Sequence, residues 1–262
     1  MAEKFETINF PSEEEKPERR QWIQYEEIGE LEEPIQKILE QLRDKIENGE
    51  YGVIVGDDAS GRVPALIFDK VIKGAYQENN HEQPQTLFFA GSRVTHGSLG
   101  KGEKFEKKKF AANFLKRGLL GKKLKGKALI VTDTIETGGS LESIAGGLKE
   151  AGIEFDIATI CMLSDRTQEE FPAVKEELER KLGGEVYYGY AGSEVPQIFA
   201  KHNLSGVYKD PRKPFAEPSP ILKERKWGVA ENRFLKPAHI EAREDVKVLA
   251  EDLLEWYKSQ RK

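Results

Sequence analysis

Between Ala128 and Ser140 the chain reads Ala-Leu-Ile-Val-Thr-Asp-Thr-Ile-Glu-Thr-Gly-Gly-Ser. An apolar run of the buried-strand type leads into Asp133, and Thr137-Gly138-Gly139-Ser140 then opens a helix. A helix N-terminus carries N–H groups without intrahelical partners and the positive end of the helix dipole, so such a turn can cradle a phosphate. Its glycines let the backbone come close to an anion, and the hydroxyls of Thr137 and Ser140 add donors. Asp133 and Glu136 stand beside that cradle. Their carboxylates suit ribose hydroxyls, a Mg2+ ion or a protonated base nitrogen. The spacing is neither the GxGxxG of dinucleotide-binding turns nor the GxxxxGK[ST] of P-loops. The plainer alternative is a Ser/Thr helix cap with acids nearby.

These residues need a scaffold, and the pattern of the chain supplies one. Gly52–Val55, Thr86–Ala90, Ala128–Val131, Phe155–Leu163 and Val186–Tyr190 are short apolar runs that read as strands. Helical patterns lie around and between them over Leu31–Ile46, Val63–Ile72, Phe105–Arg117, Leu141–Glu150 and Gln168–Leu182. Strands alternating with helices predict βαβ units and a doubly wound α/β domain with a mainly parallel, five-stranded sheet. Ligands of such a domain bind at the C-terminal ends of the strands. Residues 1–30 read as an N-terminal arm or hood, 31–208 as the α/β domain, and 209–262 as a Pro-rich connection followed by a helix. That helix, Ile240–Tyr257, has an apolar stripe at Val246, Leu249, Leu253, Leu254 and Tyr257. The sequence leaves open whether the stripe packs on the domain or on a second copy in a homodimer.

Composition narrows the classes. The chain has 262 residues, 38% hydrophobic and 33% charged, with a net charge of −5. No apolar run reaches the roughly 18 residues needed to span a bilayer. The charged N-terminus lacks the apolar core of a secretory signal. The single Cys161 excludes an intramolecular disulfide framework and a Cys-based zinc site, and a reducing cytoplasm is the expected compartment. Lys101–Lys127 holds eleven Lys/Arg against two Glu, a surplus of nine that leaves −14 for the remainder. A basic segment in an acidic chain points to a local anionic partner or to a solvated basic loop and helix.

The Ala128–Ser140 segment resembles the signature of type I phosphoribosyltransferases: an apolar strand, two acids, a short spacer, then Thr-Gly-x-Thr/Ser. The looser resemblance extends over Leu31–Tyr190. It implies a five-stranded parallel sheet with a variable hood, and transfer of phosphoribosyl from phosphoribosyl pyrophosphate (PRPP) to a nucleobase with Mg2+ present. By that resemblance Glu136, Thr137, Gly138, Gly139 and Ser140 hold the 5′-phosphate of PRPP, and Asp133 touches the ribose hydroxyls and the metal. Thr132 stands where the first acid belongs. Glu136 occupies the place where 6-oxopurine transferases carry an acid for the base, which favours a purine.

The resemblance also assigns the remaining loops. Gly56–Arg62 follows the first strand, where the family places its pyrophosphate loop. Small residues there let N–H groups converge on an anion, so Asp58, Ala59, Ser60, Gly61 and Arg62 are candidates, with Arg62 able to bind in bidentate fashion. Against this, Asp57-Asp58 repels pyrophosphate unless Mg2+ lies between, and Asp and Ser there also read as caps of the next helix. Arg93 follows the second strand, where a basic residue faces pyrophosphate in the family. The Gly-rich basic stretch Thr95–Lys109, with Lys101 and Lys104, matches the position of the flexible catalytic loop. Strand alternation puts Tyr188 and Tyr190 on one face, where an aromatic ring could stack on the base, or where both are ordinary strand residues. Two further readings stand beside the transferase: a non-catalytic PRPP or nucleotide sensor, motivated by Thr132, and, ranked last, a nucleic-acid binder using Lys101–Lys127.

Overall fold

The computed structural model describes residues 23–57, 61–89, 125–164, 170–192, 207–208, 217–218 and 231–260. In chain order the elements are α1 (Glu26–Gly29), α2 (Glu32–Gln41), α3 (Arg43–Glu47), β1 (Tyr51–Asp57), α4 (Arg62–Glu78) and β2 (Gln85–Phe89). They continue with β3 (Lys127–Ile135), α5 (Glu142–Glu150), β4 (Phe155–Leu163), α6 (Phe171–Leu182), β5 (Val186–Gly192), the short pair β6 (Val207–Tyr208) and β7 (Glu217–Pro218), and α7 (Glu231–Ser259). The main sheet is five-stranded in the order β2-β1-β3-β4-β5, and each of its neighbouring pairs is parallel. The expected α/β class and strand set are therefore present, with an all-parallel sheet.

Alternation along the strands sorts the apolar residues into two cores. Ile54, Leu129, Val131, Ala158 and Ile160 face α1–α4 and α7. Val53, Val55, Ala128, Ile130, Ile157 and Val186 face α5 and α6. Both faces of a parallel sheet must be covered, which is why its strands read as nearly continuous apolar runs. The single helix expected over Leu31–Ile46 is two helices meeting at Leu42, which serves as C-cap of one and N-cap of the next. Ile38, Leu39, Leu42 and Ile46 all remain fully buried across that break.

The C-terminal helix packs on its own chain. Ala242, Val246, Leu249, Ala250, Leu253 and Tyr257 are buried in the first core, against α4. Asp245, 2% exposed, accepts the backbone N–H groups of Gln24 and Tyr25 at 3.0 and 2.8 Å and so caps the approach to α1. Tyr257 donates its hydroxyl to Glu47 Oε1 at 2.8 Å. α7 is thus tied to the segments on either side of α2, at residues 24–25 and at Glu47. Among the described residues no helix is long and apolar enough to cross a membrane.

At the N-terminal edge of the sheet a polar network closes the first core. Tyr51 donates to Asp156 Oδ2 at 2.9 Å, and Lys45 Nζ reaches Asp156 Oδ2 at 2.8 Å and Glu185 Oε2 at 2.7 Å. Burial, then the Asp156 carboxylate, pushes the Tyr51 hydroxyl far above its ordinary pKa. The hydrogen bonds from Lys45 and Tyr187 hold the Glu185 carboxyl down at about 2. This network lies at the opposite end of the strands from Asp57 and Asp133.

Candidate functional site

The strand order turns around between β1 and β3. From β1 the chain passes through α4 on one face to β2, and from β3 it passes through α5 on the other face to β4. The two connections leave in opposite directions and open a crevice at the C-terminal ends of β1 and β3, where doubly wound folds bind ligands. Gly56 of β1 pairs with Val131 of β3 there, and Gly61 lies against the Val131 carbonyl.

β3 is longer than its apolar run. Strand pairing with β4 continues through Thr132↔Thr159, Thr134↔Cys161 and Ile135↔Met162. The strand therefore carries Asp133 within its last turn of pleat rather than on a polar turn beginning after Val131, and β-branched Thr132, Thr134 and Ile135 suit that extension. Asp133 is partly exposed, and its Oδ1 accepts the Thr134 N–H at 2.6 Å. Glu136 and Thr137 are exposed, Gly138 is buried, and Gly139 and Ser140 are partly buried. α5 begins two residues past Ser140, its N-cap is Leu141, and that residue makes no side-chain cap. The simple Ser/Thr cap is therefore not how this helix starts.

The departure at Thr132 has a structural counterpart on β1. Thr132 is fully buried, and Asp57 beside it is 1% exposed. The Thr132 hydroxyl lies 3.5 Å from Asp57 Oδ2 and 3.4 Å from Asp133 Oδ1. Asp57 is thus the last residue of a strand, turned inward, rather than an exposed partner of Asp58 in the loop. An acid at position 132 would confront it. Burial, then the Asp133 charge, pushes the nearby Cys161 thiol up to about 11, so it is a weak nucleophile.

Gly61 fits its place because nothing larger does. A Cβ there would lie 2.1 Å from the Val131 carbonyl oxygen and 2.8 Å from the Asp57 nitrogen. Gly61, the N-cap of α4, is therefore pressed onto the end of β3, one residue before Thr132. Arg62 follows as the first residue of α4, with its guanidinium over the Phe88 ring of β2 at 4.3 Å. That stacking holds the cation over β2, on the side of β1 away from β3. Asp58, Ala59, Ser60, Arg93, Lys101 and Lys104 lie outside the described residues.

The two tyrosines have different surroundings. Tyr188 packs against the second core, whereas Lys37 of α2 lies 5.4 Å from the Tyr190 ring centre. Burial, then Glu33 and Glu30, pushes the Tyr190 hydroxyl up to about 12. On β5 Tyr188 and Tyr190 pair with Thr159 and Cys161 of β4, two register steps apart.

Sequence reasoning passed over Asp57 as a loop acid and missed Phe88 and Lys181. Lys181 Nζ donates to the Thr137 carbonyl oxygen from 44 residues away, a distance at which no local pattern gives a signal. Among the described residues no group of three or more His, Cys, Asp or Glu could hold a metal alone. Mg2+ bound to a phosphate ligand uses only one or two protein carboxylates, and Asp133 is a partly exposed carboxylate at the end of β3. No protein-family model matches the chain, and no curated protein matches it.

Proposed function

We propose that the protein is a Mg2+-dependent phosphoribosyltransferase of the type I class, acting on a nucleobase, with a purine favoured by Glu136. The observation that carries this reading is that Gly61, the N-cap of α4, packs against the end of β3 beside Thr132 and Asp133, on the strand that runs on into the Thr137–Ser140 turn. Backbone N–H groups of the turn bind the 5′-phosphate, and the Ser140 hydroxyl adds a donor. Asp133 orients the ribose hydroxyls. Arg62 faces the pyrophosphate with a planar cation. Mg2+ supplies charge neutralisation to the departing pyrophosphate. The bond from the ribose C1′ to the pyrophosphate oxygen breaks, and a bond from C1′ to the base nitrogen forms. Glu136 accepts the proton that this nitrogen loses. The protein's contribution is positioning and electrostatics.

A second reading is favoured by one observation. The acid that the signature carries at position 132 is replaced by a buried threonine bracketed by Asp57 and Asp133. A site that lacks the first of the signature's two acids suits a protein that binds PRPP or a nucleotide without turnover. Incubating the purified chain with PRPP, Mg2+ and a pool of purine and pyrimidine bases separates the two. A new nucleotide by mass spectrometry is the expected result and names the base. PRPP binding with no product favours the sensor, and no binding removes both.

A further inference from the structure

We infer that Lys181, in the last turn of α6, is a positioning residue that locks one peptide plane of the Thr137–Ser140 turn; this rests on reading that turn as a phosphate cradle. Lys181 Nζ donates to the Thr137 carbonyl oxygen and pairs with Glu142 Oε1 at 3.1 Å. In a trans peptide the carbonyl and the following N–H point in opposite directions. Holding the Thr137 carbonyl toward Lys181 therefore turns the Gly138 N–H away from it.

Sterics supply the other half of the lock. Gly138 has φ +70°, and a Cβ on it would lie 3.2 Å from Leu182 Cδ1 and 3.3 Å from Leu178 Cδ2. The back of the turn thus rests on the last turn of α6. Leu178 and Leu182 are 3% and 1% exposed within the second core, so the platform is fixed by apolar packing. A donor held in place before the ligand arrives needs no reorganisation on binding. Lys181 accordingly acts through the backbone and touches no reacting atom.

Ribose 5-phosphate tests this, because it carries the 5′-phosphate without the pyrophosphate. Its affinity for the full chain is measured by calorimetry for the wild type, Lys181→Met, Lys181→Arg and Glu142→Gln. Loss of a hydrogen bond from a charged donor predicts about 10-fold weaker binding by Lys181→Met. Lys181→Arg and Glu142→Gln are expected to stay within about 3-fold of the wild type, because neither removes the donor to Thr137. Without ligand, the Gly138 amide resonance in a 1H–15N spectrum is expected to move in Lys181→Met while the core resonances stay. Wild-type affinity in Lys181→Met overturns the role of Lys181 and leaves the cradle standing. Equal loss in Glu142→Gln or in Lys181→Arg overturns the peptide lock. Absence of ribose 5-phosphate binding by the wild type overturns the cradle and the lock together.

Discussion

At the scale of single residues, the proposed function makes Asp133 the carboxylate that meets a ribose and a substrate-borne metal ion. Asp133→Asn keeps the shape and removes the charge, so Mg2+-dependent PRPP affinity is expected to fall about 10- to 100-fold by calorimetry. Restoring the signature acid is expected to harm the protein. In Thr132→Asp a second carboxylate would enter a fully buried position whose side chain lies 3.5 Å from Asp57. Like charges at that distance and burial both oppose ionisation. A loss of about 2–4 kcal/mol in chemical denaturation is expected, and Asp57→Asn in the same chain should recover part of it. Position 132 shows what one sequence hides. Thr132 is visible as a departure, but the reason for it stands 75 residues away on β1 and only pairing of the strands brings it near.

At the scale of elements, the sequence disclosed the strands through their apolar runs and the doubly wound order through their alternation with helices. It did not disclose the reach of β3. Thr132, Asp133 and Thr134 are polar, and only the partner strand β4 extends the ladder over them. It likewise showed Arg62 as a cation but not the Phe88 ring that aims it, because β2 comes beside β1 only through the crossover. The close approach of the α4 N-cap to β3 depends on the absence of a side chain at Gly61. Gly61→Ala is expected to cost about 1–3 kcal/mol in denaturant unfolding, because the obstacle is the backbone oxygen of Val131. At the far edge of the sheet, Glu185 has its carboxyl pKa lowered from 4.5 to about 2 by hydrogen bonds from Lys45 and Tyr187. A group with a depressed folded pKa stabilises the protein above its unfolded value and loses that contribution as pH falls toward the folded one. Glu185→Gln is therefore expected to remove the part of the acid destabilisation that falls between about pH 4.5 and 2. Its side chain is 63% exposed, so solvent screening keeps the effect below about 1 kcal/mol in pH-dependent thermal melts.

At the scale of the molecule, the C-terminal helix is a structural member of the domain and not an appendage. Its periodic stripe was legible, but periodicity marks an apolar face without naming what covers it. The structure answers with α4 and with the Asp245 cap on Gln24 and Tyr25. Leu249→Ala, which opens a hole at a fully buried position, is expected to cost about 2–5 kcal/mol in denaturant unfolding. The proposed ligand site lies at the C-terminal ends of β1 and β3, where the strand order turns around. Amide hydrogen exchange with and without PRPP and Mg2+ tests that placement most directly, because it reports the whole backbone at once. The expected result is protection concentrated in residues 56–65 and 132–145, with the 240–260 helix unchanged. Protection confined to other segments, or none at saturating PRPP, would contradict the account.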